Sequence, residues 1–212
     1  LVFENIPHIE DEMTYVWQAN VHSRFQLGVP APDCPKCFLV PFVIENGDLR
    51  YSKYPPGWPA ALSAGIKLNG RDYVNPLLAA LCVWLMYRLN TKFLKPWTAV
   101  FSAFLLISSP FFLMNASSLL SHTWSLFLAL TFIISWLDSW RENKTIPVWM
   151  RVMTSASSLG LLILTRPMTA FSVSIPFALH GFFLWVKGAN YHRKWLACFV
   201  FIIGLFIAAY LT

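Results

Sequence analysis

From Pro96 to Leu137 the chain reads PWTAV FSAFLLISSP FFLMNASSLL SHTWSLFLAL TFIISWL, 42 residues without a Lys, Arg, Asp or Glu. A helix that crosses a bilayer needs about 20 such residues to span roughly 30 Å of hydrocarbon. This run is long enough for two crossings and a turn. The turn is expected near Asn115–Ser121, where Asn and Ser accumulate after Pro110. Tyr73 to Tyr87 and Trp195 to Thr212 are also uncharged, and Val152 to Val186 holds only Arg166. That last stretch fits two crossings that turn at Arg166-Pro167. The pattern predicts six spans, near 73–88, 97–113, 122–137, 151–165, 168–186 and 195–212.

Composition agrees. Of 212 residues, 57% are hydrophobic, 17% aromatic and only 12% charged, with mean hydropathy +0.54. A soluble domain carries about 25% charge, so a water-soluble globule of this size would lack the polar surface to cover itself. Disorder, coiled coil and collagen are excluded by the same numbers. The class is an all-α polytopic membrane protein.

The net charge of +6 is unevenly placed. Residues 1–72 hold eight acids and six bases, net −2, whereas residues 73–212 hold ten bases and two acids, net +8. The bases cluster in alternate loops: Arg88, Lys92 and Lys95; Arg141, Lys144 and Arg151; Lys187, Arg193 and Lys194. The intervening turns hold nothing at 114–121 and Arg166 alone at 165–168. Basic loops stay cytoplasmic, so residues 1–72, the Asn115–His122 turn and Arg166 are expected on the outer face. The basic balance thus points to membrane lipids and not to nucleic acid. The chain opens with Leu1 and shows no signal peptide. Since residues 1–72 must be translocated, an upstream signal or span is expected, and the chain reads as an internal fragment of a longer protein.

The outer segment, 1–72, is expected to carry short interfacial helices. Met13, Trp17, Val21 and Phe25 recur every four residues and predict a helix over 12–27 with one apolar stripe, capped by Asp11 and ended by Gly28. Such a helix suits the membrane surface. Gly28 to Asp48 reads as loop, with Pro30, Pro32, Pro35 and Pro41. Tyr54-Pro55-Pro56-Gly57-Trp58-Pro59 opposes helix, because proline removes donors and biases the residue before it to extended forms. Pro59 can open a second short helix through about Leu68.

Several residues on this side suit chemistry. In Glu10-Asp11-Glu12 a carboxylate can take a proton from an acceptor hydroxyl, or the acids can simply favour a helix N-terminus. Lys53, on a rigid Pro-Pro turn, can meet a lipid phosphate or a headgroup. Arg166 lies in an apolar run, where an arginine is functional by default, although at a turn it can also snorkel. His122 can donate to a phosphate, help hold a metal, or sit satisfied at the interface. Cys34-Pro35-Lys36-Cys37 suits a local disulfide or free thiols, and Cys82 and Cys198 read as apolar fillers. Phosphate loops, nucleotide-binding glycine motifs and nucleophile elbows are missing, so a soluble nucleotide-sugar site is not expected.

The order of these features resembles the protein O-mannosyltransferase superfamily of polyprenyl-phosphate-dependent glycosyltransferases, with bacterial relatives that include the aminoarabinose transferase of lipid A. The resemblance is carried by Ile6-Pro7…Asp11-Glu12-Met13-Thr14-Tyr15, by Tyr51-Ser52-Lys53-Tyr54-Pro55-Pro56-Gly57-Trp58-Pro59, by Asn75-Pro76-Leu77-Leu78, by Ser121-His122-Thr123-Trp124 and by Leu164-Thr165-Arg166-Pro167. It covers essentially the whole chain, as the N-terminal part of a longer enzyme. It implies a C-type glycosyltransferase (GT-C) fold in a bacterial inner membrane, with a polyprenyl-phosphate sugar as donor. It also implies a base at Asp11 with Glu12 beside it, and a phosphate contact at Lys53. Arg166 and His122 fall on the same face, and Tyr54, Pro55, Pro56 and Trp58 form the substrate loop. The aminoarabinose branch has an acid where Ser52 stands and another where this chain has His122, so no metal is expected and neither sugar nor acceptor is transferred. Two other readings compete. A transporter or lipid flippase with Arg166 as an anion site would show matching broken helices in two halves, and no such symmetry is visible. A non-catalytic scaffold leaves the acidic triplet and the Lys53 turn without a role.

Overall fold

The computed structural model describes residues 6–34, 37–140, 146–187 and 190–211. Pro35, Lys36, Arg141, Lys144 and Thr212, which enter the sequence expectations, lie outside them. Among the described residues the chain is mostly helical, with one small sheet.

The N-terminal segment builds a cap from two helices and that sheet. Helix α1 (Glu10–Ser23) places Glu10, Asp11 and Glu12 in its first turn, where the exposed amides favour acids. The residue preceding α1 is Ile9, and Asp11 is not its cap. The buried face of α1 is not the expected stripe. Glu12, Tyr15, Gln18 and Ala19 face inward, while Met13 is exposed and Phe25 lies beyond the helix. The helix stops at Ser23 because Phe25 takes a left-handed conformation, with φ 59°.

Residues 28–52 are not all loop, and the loop expected over Gly28–Asp48 is corrected here. Strands β1 (Val29–Pro30), β2 (Val43–Asn46) and β3 (Leu49–Ser52) form an antiparallel sheet in the order β1-β3-β2. Asn46 pairs with Leu49, leaving a two-residue hairpin whose first residue, Gly47, has φ 61°. That positive φ is the conformation such hairpins require and glycine supplies at little cost. Single-face alternation is weak in strands this short, so hydropathy gave no sign of them. Cys34 and Cys37 form a disulfide beside the sheet.

Helix α2 spans Gly57–Lys67 and begins two residues before the expected Pro59. Pro59 falls in its first turn, where a proline sacrifices no intrahelical bond. Tyr15 and Ala19 of α1, Trp58 and Leu62 of α2, and Leu78 and Leu119 from the helical domain share one buried cluster.

The helical domain comprises α3 (Val74–Asn90), α4 (Pro96–Ile107), α5 (Pro110–Ser117), α6 (His122–Ser139), α7 (Val148–Ile163), α8 (Pro167–Lys187) and α9 (Asn190–Leu211). The span expected at 97–113 is broken: α4 and α5 meet at 62°. Pro110 cannot continue α4, and the Ser109 hydroxyl accepts the Phe112 amide at the start of a new helix. Helix α6 is central. Its Leu130 and Ile134 pack with Ala79, Cys82 and Leu85 of α3. Its Phe132 and Trp136 pack with Leu159 and Leu162 of α7 and Leu196 of α9. Ser155, Ala156, Ser158 and Gly160 make α7 a small-residue helix that lets neighbours approach closely.

Helix α8 and residues His192–Leu211 of α9 are each long and apolar enough to cross a membrane, and α4 with α5 makes a third if the bent pair is one span. Their outer surfaces are apolar: Phe101, Phe104, Phe171, Phe182, Val200 and Phe201 are exposed. That surface suits lipid and not water.

The loops sort to two ends of the bundle. At one end Lys92 pairs with Asp138, Arg151 donates to the Asp138 carbonyl, and Trp140 stacks near His192 at 5.9 Å. The other end carries the N-terminal cap, the 118–121 turn and the 164–166 turn.

Candidate active site

The cap sits on the helical domain through backbone groups that side chains satisfy one by one. The 118–121 turn between α5 and α6 is the centre. Glu12 Oε1 accepts the Leu119 amide at 2.7 Å, while Trp58 Nε1 donates to the Leu119 carbonyl at 2.9 Å. Asn75 Nδ2 donates to the Ser118 and Leu120 carbonyls at 2.6 and 2.9 Å. Tyr15 Oη lies 3.4 Å from Ser121 Oγ. Buried backbone groups need such partners in a non-regular turn, and here α1, α2 and α3 each supply one or more.

The second contact joins the Pro-Pro turn to the 164–166 turn. The Gly57 amide donates to the Leu164 carbonyl at 2.8 Å. A Cβ on Gly57 would stand 2.4 Å from Thr165 Oγ1 and 2.7 Å from that carbonyl, so no side chain fits. The five sequence motifs, spread from Ile6 to Pro167, therefore meet at one end of the molecule.

Asp11, partly buried, stands at this meeting point. The Tyr54 hydroxyl donates to Asp11 Oδ1 in a short hydrogen bond. Burial, and then the Asp11 carboxylate it bonds and faces, push the Tyr54 phenol well above the ordinary range. It thus stays a neutral donor. Tyr15 packs against Tyr54 with ring centroids 4.8 Å apart and the rings tilted by 40°. Burial raises the Tyr15 phenol too, with a smaller rise from Asp11 opposed by the Ser121 hydrogen bond and by Arg166. The fields of Asp11 and Arg166 also both reach His122. Arg166 ends the α7–α8 turn half-buried, and no ion pair to it is found among the described residues.

Glu12, beside Asp11 in sequence, does something else. It is buried, and its second oxygen accepts the His8 amide at 2.8 Å. Both oxygens thus hold backbone donors. Lys53 is exposed, with its ammonium 3.4 Å from the Phe42 ring centre and 5.1 Å from that of Tyr54. Cation–π contact keeps it beside the tyrosine that binds Asp11. Pro55 and Pro56 form the turn leading into α2, and Trp58 is fully buried.

His122 lines a cleft of about 280 Å³ with His8, Glu12, Met114 and Asn115, and its Nδ1 is buried without a hydrogen-bond partner. Among the described residues, no three His, Cys, Asp or Glu side chains are grouped as a metal ion would need. Sequence reasoning gave no role to Gln18, Tyr15 or Asn75. Gln18 accepts the Ser52 amide and donates to the Leu27 carbonyl, both at 2.8 Å, and so shapes the strand that leads to Lys53. A polar residue on the face of an amphipathic helix gives no hint of such a partner. Asn75 at the start of an apolar span was the one visible signal.

The arrangement can hold the Asp11 carboxylate in a fixed direction through Tyr54, with Lys53 over the same tyrosine ring and Arg166 and His122 at the same end of the molecule. Compared with family models, with curated proteins and with solved structures, the chain matches none.

Proposed function

We propose that this chain carries the active face of a membrane glycosyltransferase that moves a sugar from a polyprenyl-phosphate donor to an acceptor hydroxyl. The observation that carries the reading is Asp11: an acid held by a neutral phenol donor at the junction of five motifs, with Arg166 acting on the same Tyr15 that Asp11 acts on. In this reading the helical domain is a GT-C fold with six spans in a bacterial inner membrane, and residues 1–72 lie on the outer side.

The chemistry follows from the charges. The acceptor oxygen attacks the anomeric carbon as the bond to the phosphate oxygen breaks. The bonding pair leaves with the polyprenyl phosphate, and the acceptor proton goes to Asp11. Transfer is direct and inverts the anomeric centre. Lys53, Arg166 and His122 offset the charge that grows on the leaving phosphate. Tyr54 aims the carboxylate. Glu12, with both oxygens taken by amides, positions α1 and leaves the base role to Asp11.

The test is incubation of membranes containing the full-length protein with radiolabelled polyprenyl-phosphate sugars. Label is expected to move from the carrier into an acceptor fraction, and Asp11→Asn is expected to abolish that movement. Label that stays on the carrier with every sugar tried would overturn the reading.

A further inference from the structure

The far ends of α1 and α2 meet at a corner of the cap that the proposed chemistry does not use. Helix α1 runs out into Arg24-Phe25-Gln26-Leu27, and α2 into Lys67-Leu68-Asn69-Gly70. The first turn is fixed from inside. His22 Nδ1 donates to the Gln26 carbonyl at 2.9 Å, and Gln18 Nε2 donates to the Leu27 carbonyl at 2.8 Å. Its side chains nevertheless point out: Phe25 is 90% and Leu27 80% exposed. Phe25 also holds φ 59°, a left-handed conformation that a bulky residue disfavours. Beside it Leu68 is 82% exposed. The depth of this corner is set by α3. A Cβ on Gly65 would stand 2.3 Å from Val74 Cγ2, so the last turn of α2 lies against the first residue of α3. There the uncharged run from Tyr73 to Tyr87 begins, and Tyr73 and Leu77, one turn apart, are exposed as well. Apolar surface thus continues from α3 to Leu68 and across to α1, where the Lys67 ammonium sits 3.3 Å from the Phe25 ring centre. The charge left here is positive. Arg71 pairs with Asp72 at 2.8 Å, and no ion pair to Arg24 or Lys67 is found among the described residues.

We infer that this corner inserts into the headgroup layer of an anionic phospholipid leaflet. Phe25, Leu27 and Leu68 enter the boundary of the acyl chains, while Arg24 and Lys67 reach the lipid phosphates. An aromatic ring capped by an ammonium suits that depth, where one side of the pair is apolar and the other is wet and charged. The strained turn at Phe25 then serves to carry the ring out of the cap and into the leaflet. Two observations favour a leaflet over a protein partner: the surface runs on into the apolar face of α3, and its charge is complementary to anionic lipid. The surface is independent of the transferase reading.

The test places the full chain in lipid nanodiscs made of an equimolar mixture of phosphatidylcholine and phosphatidylglycerol. Benzoylphenylalanine, a photoreactive phenylalanine, replaces Phe25 in one variant, Leu68 in a second and Asp48, in the β2–β3 hairpin, in a third. All three side chains are exposed, so the replacements remove little packing. After irradiation, mass spectrometry counts the lipids attached to the protein. Adducts at positions 25 and 68 are expected to exceed those at 48 by about tenfold or more, with phosphatidylglycerol above its share of the mixture. Adding Arg24→Gln and Lys67→Gln to the position 68 variant should remove that excess and leave the adducts with phosphatidylcholine. Adducts at 25 and 68 no more frequent than at 48, or crosslinks to a second protein chain in their place, would overturn the insertion. Phosphatidylglycerol adducts in simple proportion to the mixture would overturn the anionic leaflet as the partner.

Discussion

Glu12 Oε1 and the Leu119 amide stand 2.7 Å apart although 107 positions of sequence separate them. The contact ties the first helix of the cap to the turn that opens α6, and it fixes where the neighbouring Asp11 points.

Replacing Glu12 by Gln should therefore be felt as instability. Gln offers one oxygen and turns an NH2 group toward an amide that needs an acceptor. Leaving a buried donor without a partner costs about 1–3 kcal/mol. A fall in melting temperature in detergent is expected. An unchanged melt would show that the tie is not needed.

Asp11→Asn is expected to behave in the opposite way. Asp11 holds no buried amide, so the melt should change little, while transfer of sugar should drop by about 10²–10⁴, the usual contribution of a general base. Transfer near the wild-type rate would remove Asp11 from the mechanism.

Alkaline titration should report on Tyr54. Burial and Asp11 raise its phenol above the ordinary 10.0, so the folded chain keeps a proton that the unfolded chain releases first. Stability from this group is fully present below pH 10.0 and is lost as pH rises toward the folded value. Tyr54→Phe should flatten that alkaline loss relative to wild type. Identical alkaline melting curves for the two proteins would contradict the coupling.

Gly57→Ala tests the second junction. The new methyl would collide with Leu164 and Thr165, and such overpacking costs about 1–3 kcal/mol. Transfer should fall with stability, because the two turns joined there carry Lys53 and Arg166. Arg166→Ala should instead raise the KM for the lipid-linked donor while leaving the melt nearly intact. If donor dependence is unchanged in Arg166→Ala, the arginine has no part in binding the phosphate.

A reporter inserted at Gly47, in the exposed hairpin, is expected outside the cell membrane, and reporters fused after Leu89 or Lys187 inside. Activity of the Gly47 insertion on the cytoplasmic side would invert the topology and move Asp11 to the wrong face for an outer-leaflet donor.

The sequence by itself determined the class and the boundaries of most helices. Uncharged runs and prolines act locally, through desolvation cost and lost donors, so the turn before Pro167 and the helices expected at 73–88 and 122–137 could be placed to within a few residues from neighbours alone. It also marked Asp11, Lys53, His122 and Arg166 as worth attention, because charge or rare polarity in such a composition is conspicuous one residue at a time. What Glu12, Gln18, Asn75 and Tyr54 do was decided only by the tertiary structure. Each meets its partner across tens of residues or more, and an acceptor on a helix face looks the same in sequence whether it finds water or a buried amide. The three-stranded sheet was hidden for a related reason: strands of two and four residues are held by pairing with one another, and pairing leaves no periodic trace in a single short segment. The bend between α4 and α5 was decided in the same way. Pro110 lay inside the single span expected at 97–113, and the break there and its direction came only with the fold, where α4 and α5 pack against α3 and α6.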